Sequence, residues 1–111
     1  MVLRAVARKM RECSRESDLV FRWRGDEMAL LLTDTTREGV LLTAERIRSE
    51  VAKVGEVAEV PLHISIGGVL YPEHGATVGR LVSVAARSLS IAKQGGSKVQ
   101  IGDAPRLTDK F

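Results

Sequence analysis

Apolar and polar positions follow two rhythms along this chain. Leu3, Val6, Met10 and Cys13 recur at spacings of three, four and three, which predicts an amphipathic helix over residues 2–14 with its basic side toward water. Residues 18–23 and 27–33 are β-prone runs separated by Arg24-Gly25-Asp26, a glycine-containing break of hairpin length. Thr35 followed by Glu38 spells a capping box, and Val40, Ala44, Ile47, Val51 and Val54 hold one helical stripe until Gly55 stops it. Residues 60–71, rich in β-branched side chains, read as a long strand ended by Pro72, with Gly67-Gly68 marking a bulge or a close backbone approach. Thr77 caps a third helix carrying Leu81, Val82, Ala85, Leu89 and Ala92, which Gly95-Gly96 closes before a short strand at 98–101.

The order α-β-β-α-β-α-β gives an α+β fold with helices packed on a mainly antiparallel sheet. An opening helix followed at once by a hairpin calls for a strand ahead of it, because a ferredoxin-like arrangement sets its first strand in the middle of the sheet. The expectation is therefore a partial fold whose first central strand is missing. Residues 28–32 and 62–66 are then left with unpaired edges, and such edges recruit other chains, so self-association is expected.

Length and composition narrow the class. The chain has 111 residues, one domain's worth, with 44% hydrophobic and 28% charged residues. One compact unit over 1–101 followed by a polar tail over 102–111 is expected. The longest apolar run, residues 28–32, is far too short to cross a bilayer, so no membrane contact is expected of this segment. The single cysteine, Cys13, makes no internal disulfide, and no secretion signal is evident, which points to the cytoplasm. Cys13 reads as a small core residue, His63 and His74 as core or turn residues, and Trp23 as a packing residue beside the turn.

The net charge of +3 is uneven: within residues 1–24, seven basic side chains face three acidic ones. Such a patch suits an anionic ligand, and equally a solvated helix face. Aromatics at 4% argue against a base-stacking platform, so no DNA partner is expected, while a nucleotide remains open. At the hairpin break, Asp26 and Glu27 are adjacent carboxylates on an exposed turn. Mg²⁺ takes oxygen ligands of that kind, typically one or two carboxylates together with substrate phosphates.

Leu3-Arg4-Ala5-Val6-Ala7 and the stretch from Arg15-Glu16-Ser17-Asp18 through Arg24-Gly25-Asp26-Glu27-Met28 resemble the GGDEF family of diguanylate cyclases. Ala44-Glu45-Arg46-Ile47-Arg48, Ser65-Ile66-Gly67-Gly68-Val69 with Tyr71-Pro72, and Ala92-Lys93 before Gly95-Gly96-Ser97-Lys98-Val99 are similar to later signatures of that family, in order and spacing. The resemblance covers residues 1–101. It implies a nucleotide-cyclase palm and bacterial cyclic di-GMP signalling, in which two such domains condense two GTP molecules using Mg²⁺ or Mn²⁺. By the same resemblance Asp26 is a metal ligand, Glu27 lies beside the reacting 3′ hydroxyl, and Gly25 and Lys93 bind substrate. Arg15-x-x-Asp18, five residues ahead of the signature, matches the family's product-binding inhibitory site, completed by Arg46. An arginine fork suits guanine O6 and N7, and a carboxylate suits the guanine N1 and N2 protons.

The chain departs from the family pattern at several positions. Arg24 stands where the first signature glycine is expected, Met28 replaces phenylalanine, and Ala86 replaces an aspartate. The glycine turn after Lys93 is one residue short and lacks an arginine. The family's first strand and two helical segments, with a second metal-binding aspartate and the guanine-reading groups, would lie ahead of Met1. The expectation is a GGDEF domain with a degenerate signature, catalytically incompetent as this chain, that binds cyclic di-GMP or GTP as a regulatory module and pairs with itself or with a partner GGDEF or signalling domain. Mg²⁺ or Mn²⁺ would be its cofactor if the active site works, and none otherwise. The alternatives are the carboxyl-terminal part of an active cyclase, or a dimerisation domain that binds no nucleotide.

Overall fold

The computed structural model describes residues 2–96 and 98–102. Ser97 and the expected polar tail beyond Gly102 lie outside the described residues. The elements run α1 (Val2–Glu12), β1 (Leu19–Arg24), β2 (Glu27–Leu31), α2 (Arg37–Ala58), β3 (Ile66–Gly68), α3 (Val78–Gln94) and β4 (Val99–Ile101), in the order expected. They divide into two compact units, residues 1–63 and 64–111.

In the first unit α1 packs on α2 and touches β1. Val6 and Met10 are buried on α1, and Ala44, Ile47 and Val51 on α2, while Arg4, Arg8 and Arg11 face solvent. Lys9 reaches Glu12 at 3.1 Å and Glu50 of α2 at 3.9 Å. The hairpin pairs Leu19 with Leu31 through Arg22 with Met28, bulges at Trp23, and closes on Arg24 opposite Glu27. Its turn is Gly25-Asp26, with Gly25 at φ +48°. Leu19, Phe21, Trp23 and Leu31 remain exposed, and Trp23 packs edge-on against Phe21 with ring centroids 6.4 Å apart.

Several local expectations are corrected. The cap of α2 is Thr36, not Thr35: Thr36 is extended, and its hydroxyl accepts from the Gly39 N–H at 3.1 Å. Glu38 therefore falls in the first turn, where its charge complements the free N–H groups, rather than in a capping box. Gly55 does not stop the helix, which runs on to Ala58 and ends on Glu59 in the left-handed conformation. The chain folds back over Gly55 so closely that a Cβ there would lie 2.5 Å from the Val60 carbonyl oxygen and 2.8 Å from the Leu62 nitrogen. This glycine serves packing.

The second unit is a β-α-β element in which β3 pairs with β4 in parallel and α3 packs on both. The strands thus form two separate ribbons, antiparallel β1-β2 and parallel β3-β4. The long strand expected over 60–71 is regular only at Ile66–Gly68. A strand extends only as far as its partner, and β4 offers three residues. Among the described residues no strand lies on the outer edge of β2 or of β3. Thr77 caps α3 as expected, accepting from the Arg80 N–H at 3.1 Å. The most buried line of α3 is Val84, Ser88 and Ala92; of the expected stripe Ala92 is buried, while Leu81, Val82, Ala85 and Leu89 are half-buried. Ser88 tolerates full burial because its hydroxyl donates to the Val84 carbonyl at 2.8 Å.

Gly67 is where strand and helix backbones meet. A Cβ there would lie 2.3 Å from the Leu89 nitrogen and 2.6 Å from its Cα, atoms that cannot swing aside. Gly67→Ala should therefore destabilise the protein by about 2 kcal/mol or more, the cost of overpacking against backbone. Urea denaturation checks this, and a midpoint unchanged from wild type would refute the close approach.

Candidate functional site

Arg15 follows the turn that ends α1, and Asp18 immediately precedes β1. Asp18 is 1% exposed. One carboxylate oxygen accepts from the Arg15 main-chain N–H at 2.8 Å, and the other accepts from the Thr33 N–H at 3.1 Å and the Thr33 hydroxyl at 3.4 Å. The Arg15 Nε lies 3.6 Å from the first oxygen, and an Arg15 Nη also donates to the Thr33 carbonyl. Arg11 donates to the Asp18 carbonyl at 3.2 Å. The main-chain bond from Arg15 does most to hold the Asp18 carboxyl below the ordinary aspartate range, outweighing the burial that opposes ionisation; the bond from Thr33 and the Arg15 charge add to it.

A buried carboxylate is tolerable only when its lone pairs are met. Here donors from the turn after α1 and from the segment after β2 converge on it, so that Asp18 ties together the two open ends of the hairpin. The Arg15 side chain, by contrast, stays 56% exposed. Thr33 is the member of this cluster that sequence reading missed. Its bonds span 15 residues, and its main-chain N–H carries no side-chain signature.

Arg46 projects from the exposed side of α2. Its charge acts on Cys13, where burial pushes the thiol up and Arg46 pulls it down. The helix that carries Arg46, α2, packs on α1, which ends shortly before Arg15. Cys13 itself is half-buried, just past the helix it was expected to line.

At the other end of the hairpin, Asp26 is exposed in the turn and Glu27 opens β2 half-buried. Arg24 places its Nε 3.3 Å from a Glu27 carboxylate oxygen, and Arg22 donates to the Gly25 carbonyl at 2.8 Å. Among the described residues no group of three or more His, Cys, Asp or Glu side chains is gathered to hold a metal ion. Asp26 and Glu27 fit the protein's share of a Mg²⁺ site whose remaining ligands are phosphates and water, and do not make a site by themselves. Lys93 lies in the last turn of α3, in the second unit, ahead of Gly95-Gly96. In that unit His74 takes a turn role, its Nδ1 accepting from the Leu70 N–H at 2.8 Å.

The family model described as "Diguanylate cyclase, GGDEF domain" matches residues 1–99. The chain belongs to the GGDEF family. The curated relatives it matches are named diguanylate cyclases. It is 38% identical over 99 residues to diguanylate cyclase DosC of Escherichia coli, and 35% identical over 97 residues to diguanylate cyclase TpbB of Pseudomonas aeruginosa. The aligned part is 86% of this chain and 21% of DosC, and 84% of this chain and 22% of TpbB, so the chain spans about a fifth of these relatives. The solved GGDEF domain of Pseudomonas aeruginosa TpbB superposes with a TM-score of 0.76 at 30% identity, covering 92% of this chain and 62% of that one. No helix among the described residues is long and apolar enough to cross a membrane.

The Asp18 bonds fix the sign of a pH dependence. A carboxyl held below its unfolded value contributes stability at every pH above the ordinary aspartate range, and that contribution is lost as pH falls through the folded value. The melting temperature of the GGDEF chain should fall along that acid limb. Asp18→Asn should melt lower at neutral pH and show a flatter limb; parallel acid limbs for the two proteins would contradict the assignment.

Proposed function

We propose that this GGDEF chain binds cyclic di-GMP at the foot of its hairpin through Arg15-x-x-Asp18, flanked by Arg46, and does not make cyclic di-GMP by itself. The observation that carries the reading is the Arg15 guanidinium, exposed to solvent yet braced by Asp18 and the Thr33 carbonyl. A guanidinium fixed on one side keeps its remaining donors oriented, which suits the paired acceptors O6 and N7 of guanine. Arg46 and the exposed arginines of α1 supply cationic charge for phosphates.

The case against synthesis rests on ligand number and on Arg24. Two-metal phosphoryl chemistry requires carboxylates that clamp both ions, and the hairpin tip brings one adjacent pair. One member of that pair, Glu27, is engaged by the guanidinium that replaces a signature glycine. In the same reading Asp26 is the metal ligand and Gly25 lies against substrate; Lys93, in the second unit, is a compact point charge of the kind that suits phosphate oxygens. The group this tip would hold, Mg²⁺ or Mn²⁺, supplies charge neutralisation at phosphate when bound.

A second reading, the carboxyl-terminal part of an active cyclase, is favoured by the exposed placement of Asp26 and the position of Lys93 at the end of α3. That no strand among the described residues pairs with the outer edge of β2 or of β3 supports a further element of the proposal, self-association by strand addition.

Calorimetric titration of cyclic di-GMP into the chain should show binding, weakened at least about tenfold in Arg15→Ala, the loss expected for a charge-assisted contact of about 1.5–3 kcal/mol. Absence of binding in the wild type, or binding indifferent to Arg15, would overturn the proposal and leave an interaction domain. Incubation of the same chain with GTP and Mg²⁺ should yield no cyclic di-GMP, and clear turnover would establish the second reading instead.

A further inference from the structure

The end of α2 breaks the charge pattern that a helix prefers. Cationic side chains suit a helix C-terminus, where the aligned peptide dipoles leave partial negative charge. The last turn of α2 holds no basic residue; Glu56 lies in it and Glu59 caps it. Neither carboxylate is met by a cationic side chain among the described residues. Both residues line an open groove of about 360 Å³ whose wall is mainly apolar, with Ala52, Val60, Pro61 and Leu62. Val60 and the neighbouring Val57 are exposed. Apolar surface beside two unpaired carboxylates fits a large apolar group flanked by cations.

The same unit of the chain presents such a group. Trp23, the one tryptophan of the sequence, sits at the bulge of β1, has no partner residue on β2 and is 46% exposed. A bulge re-aims the side chain it carries out of the regular ladder. Arg22 and Arg24 stand on either side of Trp23, both exposed, and each spends its Nε locally, on the Gly25 carbonyl and on Glu27. Their terminal nitrogens remain for other acceptors. Trp23 is not part of the groove wall in its own molecule.

We propose that Trp23 of one molecule seats in the α2 groove of a second copy of this chain, with Arg22 and Arg24 meeting Glu56 and Glu59 there. Tryptophan and arginine are the side chains that most often carry the binding energy of an interface, and an apolar pocket that excludes water is where they do so. The contact joins two different surfaces, so each copy offers one knob and one groove, and association runs head-to-tail rather than about a two-fold axis. It needs no nucleotide and uses no strand edge, which separates it from ligand binding at Arg15 and from strand addition.

Sedimentation velocity on the whole chain without nucleotide, at concentrations up to about 1 mM, the range of a small transient interface, should show average mass rising with concentration, and the emission of Trp23 should shift to the blue in parallel. Trp23→Ala, and separately Glu56→Lys combined with Glu59→Lys, should each weaken association about thirtyfold or more, the loss from removing a hot-spot anchor. Lysine at a helix C-terminus suits the dipole, so the second variant keeps its fold, which its melting temperature verifies. The deciding arm mixes the two variants. One retains the groove and the other the knob, so together they should form a 1:1 complex with blue-shifted emission at a concentration where neither associates with itself. A wild type that stays monomeric at about 1 mM, association that survives Trp23→Ala, or variants that fail to pair would each overturn the proposal. Association carried by the strand edges persists in both variants and so counts against it.

Discussion

A carboxylate taken out of water must find as many donors inside the protein as it left behind, and Asp18 organises the first unit around that requirement. Its partners come from the turn after α1 and from the residue pair beyond β2, so satisfying one side chain fixes where the helix hands over to the hairpin and where the hairpin ends. The register follows, because Leu19 beside Asp18 pairs with Leu31 two residues before Thr33. With the foot pinned, the bulge at Trp23 and the turn at Gly25-Asp26 determine how the two carboxylates at the tip are presented. The two candidate sites of the first unit are thus opposite ends of one ribbon.

Close backbone approach does in the second unit what hydrogen bonding does in the first. Its strands are only three residues long, too short for ladder hydrogen bonds alone to stabilise them. The parallel pair is held because α3 lies almost in contact with the β3 main chain at Gly67, with Ser88 and Ala92 as small residues along its buried line. The sequence Gly67-Gly68 against a helix rich in Ala and Ser is what makes so thin a β-α-β unit pack.

Features that depend on neighbours in sequence were legible from the sequence, and those that depend on distant partners were not. The hairpin break, the Thr77 cap and the close approach at Gly67 each have a local signal of turn glycine, capping hydroxyl or paired glycines. Thr35 and Thr36 are chemically equal, and the choice between them is made by backbone conformation: Asp34 takes φ +46°, and Thr36 then comes into the extended cap geometry. Gly55 carries the ordinary stop signal of a helix, but the returning segment at Val60 and Leu62 claims the space of its missing side chain. The stretch over 60–71, rich in β-branched side chains, has strand chemistry, and strand structure only where β4 meets it. For the site, motif spacing brought Arg15 and Asp18 together. It was silent on direction, because which way a side chain turns is decided by Thr33, remote in sequence.

Arg24 alters the chemistry of the hairpin tip more than its volume suggests. Beside Asp26 and Glu27 stand Arg22 and Arg24, two guanidiniums against two carboxylates, so the tip carries no net charge. Both are anchored locally, Arg22 on the Gly25 carbonyl and Arg24 on Glu27, which keeps the positive charge at the turn. Two adjacent carboxylates alone would attract a divalent cation; the same pair matched by fixed cations holds it less strongly and repels it from the Arg24 side. Phosphate oxygens respond in the opposite sense, since an exposed guanidinium attracts them. Relative to glycine, Arg24 adds one positive charge to the tip and engages a Glu27 carboxylate oxygen. At the foot of the same hairpin, Arg15 is likewise the exposed group and Asp18 the buried one, so both ends of the ribbon present arginine outward.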